Sequence, residues 1–215
     1  MGCGNSRQAP AEDKKIRKEN EKVNLDTLSR AERFEMGLPL IYTSVEEYCK
    51  LIRSISPQYK TITVKELLDG MASNISAWKK VQPDSVFVQI LNESPFLREE
   101  PGAKDLSKNS LMLWGIILCG GSSELKTITF YDILQDNQQE RISATDKDFP
   151  GNFNLMIDLG TKLVNEWEAK STSQEPERSQ EFIEKLDSTR ETLAEDEFLE
   201  HVFGNHSNIT RTEWE

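Results

Sequence analysis

Cysteine and histidine are scarce in this 215-residue chain, with three of the former and two of the latter. Cys3, Cys49 and Cys119 lie far apart with no C-x-x-C spacing, so no disulfide framework is expected and the compartment reads as reducing and cytoplasmic. His201 and His206 have no cysteine or paired carboxylate at zinc-ligand spacing and read as surface residues or one face of a C-terminal helix. Basic charge is short as well. The 26 Lys and Arg stand against 37 Asp and Glu, and the resulting −11 has the wrong sign for neutralising nucleic-acid phosphates, so no nucleic acid is expected as a partner. The longest uncharged stretch, Asn109 to Ser123, falls short of the roughly 18 to 20 apolar residues of a membrane span. No phosphate-loop pattern, nucleophile triad or paired-acid signature stands out, and Cys49 and Cys119 sit in the apolar contexts of inert buried thiols, so no enzyme is expected. What is present, 36% hydrophobic and 29% charged residues, suits a folded chain long enough to hold a core without staples.

The chain opens Met1-Gly2-Cys3-Gly4-Asn5-Ser6-Arg7, the Gly-then-Ser pattern of N-myristoylation. Gly2 is expected to carry myristate and Cys3 palmitate, because one myristoyl chain holds a protein to membrane at only about 10⁴ M⁻¹ and a second signal is needed. The alternative is a plain small-residue tail. Arg7, Lys14, Lys15, Arg17, Lys18 and Lys22 outnumber Glu12, Asp13, Glu19 and Glu21, which makes a weakly basic arm suited to the cytoplasmic face of a plasma or ciliary membrane. An ordinary solvated charge run accounts for the same residues.

Beyond residue 40 the periodicity predicts an all-α chain. Val45, Tyr48, Cys49, Leu51 and Ile52 form one helical stripe, and Leu67, Leu68, Met71, Ile75 and Trp78 another. Leu111 to Leu118 is apolar nearly all round and is expected at the centre of the molecule. Further helices are expected over Leu125 to Leu134, Phe153 to Trp167 and Glu181 to Leu186, with Tyr59 to Thr63 as the only convincing strand. Four loops share an apolar hinge beside a helix start: Ile62 before Thr63-x-x-Glu66, Leu106 before Ser107, Ile142 before Ser143-x-x-Asp146, and Leu193 within Thr192-x-x-Glu195.

The residues Trp114, Gly120, Glu124, Leu125, Phe130, Tyr131 and Asp132 resemble the second-to-third hand region of the neuronal calcium sensor, potassium-channel-interacting protein and calcineurin B family. Ser56-Pro57 similarly resembles the Cys-Pro pair that disables that family's first loop, and Thr192 to Phe198 the exit from its fourth hand. The resemblance covers roughly residues 44 to 203 and implies EF-hand-like helix-loop-helix pairs forming two lobes. The corresponding division is an acylated flexible arm over 1–40, paired units over 41–121 and 122–204, and a tail over 205–215.

Calcium demands oxygens at loop positions 1, 3, 5, 7, 9 and 12 and a glycine at 6. Counted back from the hinges, the first loop offers Ile55, Pro57 and Tyr59 with Glu66 at twelve, and the second offers Glu99, Pro101 and Ala103 with Ser110 at twelve. The third offers Gln135, Asn137 and Gln139, with Glu140 for glycine and Asp146 at twelve; starting at Asp132 instead makes it too long. Asp187, Thr189, Glu191 and Glu197 are all donors, but the fourth loop is one residue short and lacks glycine, so these are weak metal candidates and no cofactor, calcium included, is expected. The function expected is a non-enzymatic, membrane-tethered adaptor that holds an amphipathic helix of another protein in an apolar groove framed by Leu67, Met71, Leu113, Trp114, Ile117, Phe130 and Phe198. Burial of these residues in the chain's own core is the alternative. A calcium sensor using the fourth loop and a structural component of a membrane-associated or ciliary assembly are the rival functions.

Overall fold

Serine or threonine opens one helix after another. Ser29, Ser44, Thr63, Ser85, Ser107 and Ser122 each accept a hydrogen bond from the backbone N–H three residues on, satisfying a donor that the first helical turn leaves without a partner. The helices so capped are α1 (Arg30–Met36), α2 (Val45–Ser54), α3 (Val64–Asn74), α4 (Val86–Glu93), α5 (Lys108–Leu118) and α6 (Ser123–Leu134). In the computed structural model, which describes residues 28–135, 141–143, 148–192, 203–204 and 206–214, there follow α7 (Asp148–Asp158), α8 (Val164–Thr172), α9 (Gln180–Thr192) and α10 (Arg211–Trp214). A π turn, Leu159–Leu163, joins α7 to α8 without a break.

The fold is mostly helical, and its strands are short. β1 (Thr61–Ile62) pairs antiparallel with β2 (Leu106–Ser107), placing Ile62 opposite Leu106. β3 (Arg141–Ser143) pairs antiparallel with β4 (Asn208–Thr210), placing Ile142 opposite Ile209. Three of the four expected hinges are therefore paired, but the partner of Ile142 is Ile209 rather than Leu193, which lies outside the described residues. Thr192, expected to open a helix, instead stands at the end of α9. The stretch expected as a C-terminal tail supplies β4 and α10, and Trp214 Nε1 donates to the Thr127 carbonyl of α6 at 2.9 Å.

α5 lies at the centre, in contact with α2, α6 and α7. Leu111, Leu113 and Trp114 are fully buried, as the all-round apolar run predicts. Gly115 lets the Tyr48 ring lie on the α5 backbone, where any β-carbon would collide with it. From there aromatic contacts run Tyr48 to Trp78 to Phe87 to Trp114, while Phe149 meets Phe130, Phe203 and Trp214 in a second group. Most of the buried apolar side chains among the described residues form one cluster extending from Ala31 to Ile209. Each fully buried aliphatic or aromatic side chain in it contributes about 1.5 to 3 kcal/mol.

α1 falls in the stretch expected as a flexible arm, yet it packs on α8. Glu168 of α8 is fully buried, and Arg30 Nε stands 3.3 Å from its Oε1. The same guanidinium donates to the Glu175 carbonyl at 2.8 Å and to the Gln174 side chain. Glu177 completes the junction by accepting from the backbone N–H groups of Arg30 and Ala31 at 3.2 and 3.0 Å.

Candidate functional site

The paired loops are the natural place to look for a cation, and in the first loop the oxygens are already taken. Glu66 Oε2 accepts from the Thr63 backbone N–H at 2.8 Å and from its hydroxyl at 2.9 Å, while Oε1 accepts from the Ser56 hydroxyl at 3.0 Å. These bonds, the Thr63 backbone bond foremost, hold the Glu66 carboxyl below its ordinary range, with a further contribution from nearby Lys108. Lys108 itself is only 7% exposed, and its Nζ donates to the Ser56 carbonyl at 2.8 Å. Its backbone N–H donates to the Lys60 carbonyl at 3.0 Å, tying the start of α5 to the loop before β1. A protein ammonium thus sits against the first loop. Ser56 takes the left-handed conformation, φ 46°, as the chain turns there.

Glu213 is the twin of Glu66 at the other ladder. Its Oε2 accepts from the Thr210 N–H and hydroxyl, both at 2.8 Å, and the backbone bond again lowers its pKa. The signal was present in the chain: Ile209-Thr210-x-x-Glu213 repeats Ile62-Thr63-x-x-Glu66. Counted back from Ile209, the first three odd positions of this loop are Val202, Gly204 and His206, none of them a carboxylate.

Asp187, Thr189 and Glu191, expected in a fourth loop, instead lie inside the helix α9. The hydroxyls of Ser188 and Thr189 donate back to the Lys185 carbonyl, so these polar side chains are accommodated within the helix. Asp187 faces two cations: Lys162 Nζ at 2.9 Å and Arg190 Nη2 at 3.6 Å. The Lys162 hydrogen bond holds its carboxyl below the ordinary range. Lys162 and Arg190 also reach Asp158 at 3.0 and 2.9 Å, so the four charges bind α9 to the π turn and the end of α7.

In the third loop Gln135 Nε2 donates to the Tyr131 hydroxyl at 2.9 Å, and Asn137, Gln139, Glu140 and Asp146 lie outside the described residues. So do Gly2, Cys3, Glu197 and Phe198. Among the described residues no group of three or more His, Cys, Asp or Glu is placed to hold a metal, and no helix is long and apolar enough to cross a membrane.

The residues expected to frame a groove take the core alternative. Leu67, Met71, Leu113 and Trp114 are fully buried, Phe130 nearly so, and only Ile117 is half-buried. Among the described residues, clefts open elsewhere. One, of about 640 Å³, is lined by Pro39, Tyr42, Ala77, Val81 and Phe87 with Lys80 at its side, and Tyr42 is half exposed there. Another, of about 560 Å³, lies between the first loop, the start of α5, the end of α6 and the start of α7. Burial pushes the Cys49 thiol up to about 12 and Cys119 upward as well, which keeps both protonated and unreactive at neutral pH.

Sequence reasoning missed Arg30, Lys108, Glu168 and Glu213. For the first three no local pattern marks a charged residue as one that will be buried against a partner distant in the chain. No protein-family model matches the chain, and no curated protein or solved structure is detectably similar to it.

Proposed function

We propose that the protein is a membrane-tethered, non-enzymatic adaptor built from EF-hand-like helix-loop-helix pairs that work without calcium. Gly2 and Cys3 carry the acyl chains that hold it to the cytoplasmic face of a membrane, and the folded body receives an amphipathic helix of another protein. The observation that carries this reading is the use of Glu66 and Glu213. At the loop position where an EF-hand glutamate would grip the ion with both oxygens, each instead caps its own helix through Thr63 or Thr210. The first loop has Lys108 beside it as well. Paired hinges are retained while the ion is dispensed with, as suits a scaffold whose binding state does not follow calcium. With Leu67, Met71, Leu113 and Trp114 in the core, the partner's apolar side chains go to the cleft of Tyr42, Ala77, Val81 and Phe87.

The test is cell fractionation with crosslinking of wild type, Gly2→Ala and Val81→Asp, each with and without a calcium chelator. Gly2→Ala is expected to leave the membrane fraction, Val81→Asp to stay there but lose the crosslinked partner, and chelator to change neither. Retention of Gly2→Ala on the membrane, or release of the partner by chelator, would overturn the reading.

A further inference from the structure

The cleft between the first loop and α7 contains a feature that the loops do not explain. Arg53, in the last turn of α2, lines it, and its Nη2 is buried with no hydrogen-bond partner among the described residues. No acidic side chain among them comes within ion-pair distance of Arg53. A guanidinium nitrogen removed from water without an acceptor costs free energy that an acceptor on a ligand would recover. Its position near the C-terminus of α2 is favourable for a cation, but the helix dipole supplies no acceptor to Nη2.

The rest of the cleft indicates what would complete it. Among the described residues of the walls, Lys60 and Lys108 join Arg53 against Glu99, a positive excess in a chain of net charge −11. The floor is apolar, with Met112 and Ile133 almost fully buried and Leu155 half-buried. Tyr59 stands at the rim, 62% exposed. The volume, about 560 Å³, accommodates a few side chains.

We propose that this cleft is a binding site for an acidic peptide segment of a partner protein. A Glu or Asp carboxylate of the segment pairs with the Arg53 fork, and the neighbouring apolar residue rests on Met112 and Leu155. A membrane surface is the poorer occupant. The acidic body is repelled by anionic headgroups, and two cations of the lining, Arg53 with its Nη2 buried and Lys108 only 7% exposed, are withdrawn from a planar surface. The chain's own N-terminal arm carries a basic excess over residues 1–22 and matches the walls no better. The inference deepens the adaptor reading, on which it rests for the nature of the partner, and it adds a contact distinct from the Tyr42 cleft.

The experiment uses the full chain and a display library of random eight-residue peptides, followed by anisotropy measurements on the selected peptide and on anionic phosphatidylserine vesicles. Wild type is expected to enrich peptides with Asp or Glu beside an apolar residue, and replacing that acid by its amide should weaken binding about tenfold or more. Arg53→Gln should lose the same factor with an unchanged melting temperature. Arg53→Lys, which keeps the charge and loses the fork, should lose part of it, and Lys79→Gln, an exposed cation that lines neither cleft, should bind as wild type. Absence of acidic enrichment, equal binding by Arg53→Gln, or dependence on Arg53 for vesicles but not for peptides would overturn the proposal. Binding that needs Val81 but not Arg53 would overturn it while leaving the adaptor reading standing. Arg53-dependent peptide binding by a chain found free of membrane would do the reverse.

Discussion

Lys108 Nζ and the Ser56 carbonyl oxygen are 2.8 Å apart, joining the first residue of α5 to the loop that precedes β1 through an ammonium only 7% exposed. Replacing Lys108 by Met keeps most of the stem and removes the donor. A stability loss of about 1.5 to 3 kcal/mol is expected, the usual worth of a hydrogen bond to a charged group. Amide exchange at Thr61 and Ile62 should accelerate, because the β1 ladder loses its tie. Unchanged exchange at those two amides would show that Lys108 does not hold the loop.

Arg30 and Glu168 join α1 to α8, and their loss is asymmetric. Arg30→Ala leaves the Glu168 carboxylate buried without its cation and is expected to cost about 2 to 4 kcal/mol, the lower side of the buried-pair range because Arg30 is partly exposed. Glu168→Gln removes the charge with the pair and should cost less. Limited trypsin digestion should cut Arg30→Ala first at Arg33 in α1, while wild type resists there. Equal costs for the two variants in a denaturant titration would contradict the burial argument.

Glu66 and Glu213 are held below the ordinary glutamate range by hydrogen bonds to their ionised forms. The folded state therefore binds protons at these sites less readily than the unfolded chain, whose glutamates titrate near about 4.3. Their contribution is fully present above that value and drains away as pH falls through the lower folded values. Acid unfolding monitored by circular dichroism should accordingly be less steep for the Glu66→Gln, Glu213→Gln double variant than for wild type below about pH 4.3. Identical pH profiles would mean that the caps do not govern acid sensitivity.

Calorimetric titration with calcium should reveal no site tighter than about 10⁻⁵ M, the weak end of the sensor range. Asp187→Ala should leave that result unchanged and lower thermal stability, because Asp187 faces Lys162 and Arg190. Tight binding lost in Asp187→Ala would restore the calcium-sensor alternative.

The helix starts and the central place of α5 were legible, since capping is local chemistry and an apolar run with no polar face has only the interior to go to. The fourth hinge was not legible. Thr192-x-x-Glu195 beside Leu193 and Thr210-x-x-Glu213 after Ile209 offer the same capping chemistry, and only the pairing of Ile209 with Ile142 across β3 and β4 selects the second. What covers the apolar faces was not legible for a related reason. Periodicity identifies an apolar face on α3 or α5, but what covers it depends on where Tyr48, Trp78 and Phe87 arrive from other helices. Arg53, Lys108 and Glu168 were passed over because a charge in a polar-looking window reads as solvated until the fold shows what surrounds it.

The π turn between α7 and α8 acts as a phase shifter. Over Leu159–Leu163 the backbone spends one residue more per turn than an α-helix, so everything beyond it is rotated about the common axis relative to an uninterrupted rod. Leu159 and Leu163 both remain fully buried through that stretch, while Glu168 comes round to the side where α1 lies. One continuous rod thereby meets α5 before the turn and α1 after it. Excising a single residue there would reset the angle by about 100°, one residue's rotation in an α-helix, and swing Glu168 away from Arg30 without altering any residue in either contact.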